Sequence, residues 1–124
     1  MDKKYEFKED PERSIEGNTV IRLYDENNNE LGYYEYDVPA EKWVWLQKLF
    51  VVKHYRDLGL SSILIEHFLE LARDALKASQ INVYIAPLEE GIELGRLINL
   101  YAKHGFEIIE HSSKDAEGRI KIVN

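Results

Sequence analysis

The residues with the clearest chemical potential lie in a turn between an apolar run and an amphipathic run. Arg56, Gly59 and Ser61 follow an Arg-x-x-Gly-x-Ser spacing in this turn. Gly59 has no Cβ, so its backbone can approach a ligand closely. A helix that begins directly after the turn points unpaired N–H groups and the positive end of its dipole outward. The turn is therefore predicted to bind an anion, and phosphate fits it best.

The run after the turn is predicted to form one long helix that reaches Ser79. Ser61 or Ser62 is expected to cap this helix by accepting a hydrogen bond from a first-turn N–H. The apolar residues recur at steps of three and four, as one buried helical face requires: Leu60, Leu64, Phe68, Leu71 and Ala75. Taken alone, a glycine turn between a strand and a helix is also a common structural device that binds nothing.

A second segment, Leu100 to Phe106, reads Leu-Tyr-Ala-Lys-His-Gly-Phe. Together, the two segments resemble the signature of the GNAT superfamily of N-acetyltransferases. In that family an apolar strand end precedes Gln or Arg-x-x-Gly-x-Gly or Ala, and a helix follows. Val51, Arg56, Gly59 and Ser61 take those places here. Ser61 departs from the pattern, because it adds a hydroxyl where a smaller residue is usual.

The resemblance implies that acetyl-coenzyme A (acetyl-CoA) is the acyl-donor cosubstrate and that a primary amine accepts the acetyl group. The pyrophosphate would bind mainly backbone N–H groups of the turn, and the strand end would pair with the pantetheine amides. The implied cofactor-binding residues are Val51, Arg56, Leu58, Gly59, Leu60, Ser61 and Ser62. Tyr101 is the implied general acid, since a phenol of pKa ~10 stays protonated at neutral pH and can donate to a thiolate.

Two positions leave the catalytic role open. Tyr101 also lies on the apolar face of its predicted helix, where it would serve equally well as a core residue. Many family members carry Asn where this chain has Leu94, and Asn99 is predicted on another helical face. An alternative is therefore a catalytically inactive GNAT-fold binding or regulatory module. A third reading is a structural protein whose glycine turn binds nothing.

The general base is not identified by the sequence. Trp45 stands where some family members carry a glutamate, and residues 80–82 lack the glutamate that others carry at that point. Glu35, Asp37 and Glu41 remain as acidic residues that could reach the acceptor, although each is also a typical solvated surface charge.

The pattern of elements predicts an α/β (α+β) fold with a mixed sheet. The resemblance implies a mostly antiparallel central sheet with flanking helices, in which strands 46–52 and 81–86 are parallel and splay apart. Strands are predicted at residues 4–8, 19–25, 31–38, 43–52, 80–86, 106–110 and 119–123, loops at 88–91 and 112–118, and a second helix near 93–104. Strand 43–52 is nearly all apolar, so it is predicted to be central and covered on both faces.

The chain of 124 residues is predicted to form a single GNAT-like domain over residues 1–124, and the resemblance covers about 19–124. The family usually places two helices between its first two strands, and residues 1–18 are too few for both. Since those helices often wall the acceptor pocket, an open acceptor site is expected. An open site suits an amine on a protein or peptide.

Composition narrows the remaining classes. The net charge of −7 disfavours a nucleic-acid partner and favours a cationic one. There is no cysteine, and the four histidines show no metal-ligand spacing, so no metal is predicted. No apolar run is long enough for a membrane span and no signal peptide is recognised, which predicts a cytoplasmic protein without a membrane partner. A monomer or a homodimer is expected.

Overall fold

The computed structural model describes residues 4–14, 18–87 and 92–122. The predicted loop 88–91 and Val123, in the last predicted strand, lie outside the described residues. Seven strands are described, namely β1 Tyr5–Glu9, β2 Asn18–Asp25, β3 Glu30–Ala40, β4 Trp43–Val51, β5 Gln80–Ile85, β6 Glu107–Glu110 and β7 Ala116–Lys121. The two helices of this part of the chain are α1 Leu60–Glu70 and α2 Leu94–Lys103.

All seven strands form one sheet in the order β1-β2-β3-β4-β5-β7-β6. Neighbouring strands are antiparallel except β4 and β5, which are parallel. The predicted fold class is therefore confirmed, as is the position of β4 in the centre of the sheet. The predicted strands 19–25 and 31–38 correspond to β2 and β3, which form a hairpin. Its turn is held by Asp25, whose Oδ1 accepts from the N–H groups of Asn27 and Asn29 at 2.9 and 2.8 Å.

The parallel pair splays after four residue pairs. Residues 43–46 of β4 pair with 80–83 of β5, and the pairing ends there although both strands continue. At the same point β4 carries an extra residue relative to β3, because Glu35 lies opposite Lys48 while Tyr36 lies opposite Leu46. Gln47 is the inserted residue, and such a bulge bends its strand. The splay opens a gap between the ends of β4 and β5.

The bulge also exchanges the two faces of β4. A strict period of two would place Leu49 and Val51 beside Trp45, but they lie opposite Tyr34 and Gly32 on the face that carries α1. Trp43 remains 43% exposed and Gln47 is exposed as well. The prediction that this strand is covered on both faces was wrong, since the second face carries no helix in the described residues.

Both helices pack on one face of the sheet, where they bury the core. From α1, the residues Leu64, Ile65 and Phe68 are fully buried against β3 and β4. Tyr101 of α2 and Phe106 pack edge to face with their rings 5.6 Å apart. Neither the short connection of residues 10–14 nor any other described segment before β2 forms a helix, in keeping with the expected minimal N-terminus.

Two predicted boundaries differ from the structure. The helix after the turn is α-helical only to Glu70 and continues as a π-helical turn, Leu71–Ala75, so its last residues are wider than a regular helix. The predicted polar loop 112–118 is too long, because β7 already begins at Ala116. Ala116 is fully buried there, so tertiary packing outweighs the polar neighbours in sequence. In the part of the chain described, neither helix has the length and apolar content needed to cross a bilayer.

His67 of α1 lies in a partly buried aromatic cluster with Phe7 and Tyr34. Its Nδ1 is 2.7 Å from the hydroxyl of Tyr34, and its ring stacks on Phe7 with centroids 3.6 Å apart. Burial lowers the pKa of His67 below its ordinary value, although Glu70 acts in the opposite direction. The folded state therefore favours the neutral imidazole.

We expect acidification from pH 7.5 to 5.5 to lower the melting temperature by up to a few degrees. The unfolded chain binds the proton more readily than the folded one, so the stabilisation is complete above the unfolded pKa of about 6.5 and declines below it. Melting curves of His67→Gln, which keeps a hydrogen-bonding side chain but cannot titrate, should show a smaller decline. An equal decline in both proteins would contradict this origin.

Candidate functional site

A cleft of about 540 Å³ lies where β4 and β5 separate. The turn after β4, the first turn of α1 and one side of α2 complete its walls. Its lining includes six of the seven residues predicted to bind the cofactor: Val51, Arg56, Gly59, Leu60, Ser61 and Ser62. Leu58 is absent from the lining, and its side chain is 58% exposed.

Gly59 forms the N-cap of α1 in a left-handed conformation, with φ of 79°. No side chain caps this terminus, so the prediction that Ser61 or Ser62 does so was wrong. The N–H groups of the first turn are therefore left for other partners. A Cβ added at Gly59 would meet no atom within 4 Å, which shows that the space in front of the turn is open.

The side chain of Arg56 holds the turn against the end of β4. Its Nε donates to the carbonyl of Val51 at 3.0 Å, and its guanidinium lies 5.5 Å from the ring centre of Phe50. Arg56 thus fixes the path of the backbone into α1. Its predicted place at the cleft is observed, and a direct contact with a phosphate stays a prediction.

The edge of β4 that faces the gap carries free backbone positions. The N–H of Val52 donates to Leu31 of β3 at 2.9 Å, so residues 50 and 52 face β3 in the antiparallel ladder. The N–H groups of Leu49 and Val51 and the C=O of Leu49 then face the gap, while the C=O of Val51 accepts from Nε of Arg56. This edge can receive an extended chain that bears amides.

Ser62 and His104 join the first turn of α1 to the end of α2. The Oγ of Ser62 lies 3.1 Å from Nε2 of His104. This contact fixes the two helix ends that flank the cleft relative to each other.

Leu60 is 3% exposed and packs into the core, so only its backbone is placed to reach a ligand.

The cleft carries an excess of basic side chains, whereas the protein as a whole is acidic. Although the chain carries a net charge of −7, the described residues that line the cleft include four basic side chains and two acidic ones. The basic side chains are those of Lys48, Arg56, Arg96 and Lys103, and the acidic ones are those of Asp57 and Glu93. Asp57 and Arg96 form an exposed ion pair at 3.5 Å between the turn and α2. The cleft suits an anionic ligand.

Tyr101 lies in the wall of this cleft on α2, three residues before the helix ends at His104. The helix stops there because Gly105 adopts φ of 97°, the left-handed conformation typical of the C′ position. Tyr101 is 5% exposed, and burial raises the pKa of its phenol well above the ordinary value of 10. Among the described residues its hydroxyl has no hydrogen-bond partner. Tyr101 is thus both a packed residue and a protonated donor at the cleft.

A second pocket, of about 430 Å³, opens on the helix-free face of the sheet. Four strands and the β6–β7 turn supply its lining: Asp37, Pro39, Trp45, Gln47, Tyr84, His111, Ala116 and Glu117. Gln47 and Tyr84 line the cleft as well, so the two cavities meet at the bulge. Gln47 is oriented by Asp37, whose Oδ1 accepts from its Nε2 at 2.7 Å.

Comparison with known proteins decides the family. The sequence model of the acetyltransferase (GNAT) domain matches residues 16–108, about three quarters of the chain. The chain belongs to the GNAT acetyltransferase family. Among curated proteins no sequence match was found.

Solved GNAT structures share the fold at low sequence identity. A dodecameric spermidine N-acetyltransferase from Vibrio cholerae superposes with a TM-score of 0.72 at 16% identity, over 86% of this chain and 66% of that one. The spermidine/spermine N-acetyltransferase SpeG from Vibrio cholerae, in a complex with manganese ions, gives 0.68 at 15% identity over the same shares. This chain thus spans slightly less than two thirds of the length of those proteins.

The structure places the remaining candidate residues of the sequence analysis in different parts of the molecule. Of the three acidic residues considered as bases, Asp37 lines the pocket, whereas Glu41 lines neither cavity and Glu35 accepts from Asn18 at 3.2 Å on β2. Leu94, which stands where many family members carry Asn, packs against the core. Asn99 lines the cleft, although its predicted helical face argued against it as a replacement for that Asn.

Sequence reasoning missed most of the residues that line the second pocket. Gln47 was a detectable signal, as a polar residue inside an apolar strand, and so was exposed Tyr84 in a Val/Ile-rich strand. His111 and Glu117 gave no signal, because a hairpin brings them to the pocket from different strands. In the described residues no group of three potential ligands could hold a metal ion, and the prediction of no metal stays a prediction.

Proposed function

We propose that this protein is an acetyl-CoA-dependent N-acetyltransferase that transfers an acetyl group to a primary amine. The observation that carries this proposal is the meeting of two cavities of opposite character at the Gln47 bulge. One is a cleft with an excess of basic side chains and an uncapped helix N-terminus, and the other is a pocket with two carboxylates. An anionic donor and a cationic acceptor would therefore approach each other across this point.

The residues of the cleft fit the donor in three places. The first-turn N–H groups and Gly59 face open space, where a pyrophosphate would bind at the positive end of the helix dipole. Leu49 and Val51 present backbone groups that match pantetheine amides. Acetyl-CoA, when bound, would supply the thioester, and Tyr101, which lines the cleft, would protonate the sulfur as the thiolate leaves. The proposed roles of six of the seven predicted cofactor residues rest on this fit, and Leu58 lies outside the lining.

For the acceptor we propose a primary amine on a protein or peptide. The pocket lies on the helix-free face of the sheet, so a lysine side chain or a chain terminus can enter without displacing a lid in the described residues. Asp37 and Glu117 would attract the ammonium, and Trp45 and Tyr84 would contact its alkyl chain. A protein substrate also suits a cytoplasmic monomer or homodimer.

A free polyamine is the second candidate. The same combination of carboxylates and aromatic rings suits a flexible polycation, and the structural neighbours named above are spermidine acetyltransferases. Polyamine and lysine side chain differ in the number of charges but share the primary ammonium.

The proposal is tested first by binding. Acetyl-CoA at ~100 times its dissociation constant should add about 2.7 kcal/mol to the stability of the folded state, which raises the melting temperature by several degrees. Turnover is then followed as acetyl-CoA consumption with spermidine and with a peptide that contains one free lysine. A peptide in which this lysine is already acetylated is the matched control.

The outcomes separate the remaining candidates. No thermal shift at millimolar acetyl-CoA would overturn the proposal as a whole. A shift without turnover of any amine would indicate an inactive binding module, whereas turnover of spermidine alone would replace the protein acceptor by the polyamine. With either acceptor, Asp37→Asn should raise KM, and the effect should weaken in high salt because the attraction is screened.

A further inference from the structure

The acceptor pocket contains a histidine whose orientation is fixed. His111 follows β6, and its Nε2 lies 3.1 Å from Oε2 of Glu117 on β7. Its backbone N–H donates to the carbonyl of Asp115 at 3.2 Å, which holds the start of the same turn. The side chain is 47% exposed, whereas that of Glu117 is 28% exposed. Glu117 thus anchors one ring nitrogen while the ring still reaches the pocket.

We propose that His111, oriented by Glu117, accepts the proton from the acceptor ammonium in this pocket. The inference rests on the proposed function and supplies the base that the family signature lacks here. With Nε2–H donated to Glu117, the lone pair of Nδ1 is the acceptor. Within the described residues, the ring has no hydrogen-bond partner other than Glu117.

The other polar groups of the pocket are less suited to this step. Histidine side chains ordinarily titrate near 6.5 and carboxylates near 4, so an imidazole is the better acceptor at neutral pH. Asp37 already accepts a hydrogen bond from Gln47. The hydroxyl of Tyr84 donates to Asp115 at 3.1 Å, and this hydrogen bond raises the pKa of Tyr84, which makes the phenolate base rarer.

The proton balance of the reaction is complete with these groups. His111 takes one proton from R–NH3+, which leaves a lone pair on the amine nitrogen. That nitrogen forms a C–N bond with the thioester carbonyl carbon, and the C–S bond breaks with its electron pair on sulfur. Tyr101 protonates the sulfur and is reprotonated from solvent. The nitrogen loses its second proton to solvent, and imidazolium returns its proton there as well.

The test compares His111→Gln with the unchanged protein over a pH range, using spermidine and the lysine peptide as acceptors. At pH 7, kcat/KM should fall about 100-fold, the lower end of the usual contribution of a general base. Near pH 9.5 the loss should shrink below about tenfold, because a growing fraction of the amine is already neutral. His54→Gln, an exposed histidine that lines neither cavity, should behave as the unchanged protein.

Glu117→Gln provides a second, independent readout for the positioning residue. Without the carboxylate the ring is held less firmly, so kcat/KM at pH 7 should fall and the loss should shrink near pH 9.5, as for His111→Gln. The charged and titratable groups that face His111 are Glu117 on β7, Asp115 in the turn, Asp37 on β3 and Tyr84 on β5.

The results distinguish this inference from the function on which it rests. Absence of turnover in the unchanged protein would overturn the proposed function. Turnover in the unchanged protein together with a His111→Gln loss under about threefold, or a loss equal at pH 7 and 9.5, would overturn the base alone. Acetyl-CoA thermal shifts should be the same for His111→Gln and the unchanged protein, since the residue lies outside the donor cleft.

Discussion

Replacing Tyr101 by phenylalanine is expected to lower kcat by about 100- to 10,000-fold, the range that general acid assistance supplies. The substitution removes the hydroxyl and keeps the ring, so the edge-to-face contact with Phe106 should persist. Because burial raises the pKa of Tyr101, the phenol is fully protonated at neutral pH and ready to donate. Steady-state kinetics and acetyl-CoA thermal shifts on the same preparation measure the effect.

Tyr36→Phe is the matched control for this experiment. Tyr36 is 8% exposed and packs against Phe68 in the core, outside both cavities, so its loss of a hydroxyl should leave kcat unchanged. If a hydroxyl at position 101 matters only in the transition state, binding of acetyl-CoA should be nearly unaffected. A decrease in kcat below about tenfold, or a large loss of stability, would identify Tyr101 as a packing residue.

Gly59→Glu is expected to abolish acetyl-CoA binding while the protein stays folded. The new side chain would extend into the open space before the first turn of α1, where the pyrophosphate is proposed to lie. At an effective dielectric of about 20, two like charges about 4 Å apart repel by about 4 kcal/mol, which is about a thousandfold in affinity. The acetyl-CoA thermal shift should therefore vanish at ligand concentrations that shift the unchanged protein.

Gly59→Gln separates charge from backbone strain. Any side chain at φ of 79° costs about 1 kcal/mol or somewhat more, and glutamine carries this cost together with the volume of glutamate. We expect both variants to melt at similarly reduced temperatures, and only glutamine to retain a shift with acetyl-CoA. If both variants kept an equal thermal shift with acetyl-CoA, no phosphate would bind at this turn.

Local sequence determined the helices and the turn that begins α1. The steps of Leu60, Leu64 and Phe68 define one apolar face, and Gly59 and Gly105 occupy positive-φ positions at the N-cap of α1 and just after the end of α2. These features depend on neighbours a few residues apart, so their periodicity and residue types are visible in the chain itself. The hairpin of β2 and β3 was predictable for the same reason.

Only the tertiary structure decided where β4 changes faces. The extra residue at Gln47 is defined by the register of β4 against β3, and register depends on pairing between distant segments. An uninterrupted period of two would place Leu49 and Val51 on the wrong face. The bulge also marks the point at which β4 and β5 separate, so the position of the cleft follows from the same contact between strands.

The pocket on the helix-free face was likewise not predicted as a unit from the sequence. Asp37, Tyr84, His111 and Glu117 come from separate parts of the chain and meet because β5 and β7 pair beside the splayed end of β4. Considered alone, each of them is of a residue type that is common on protein surfaces. The sequence therefore determined the family and the turn proposed to bind the donor, whereas the arrangement of strands decided which side chains surround the proposed acceptor, because that arrangement depends on long-range pairing.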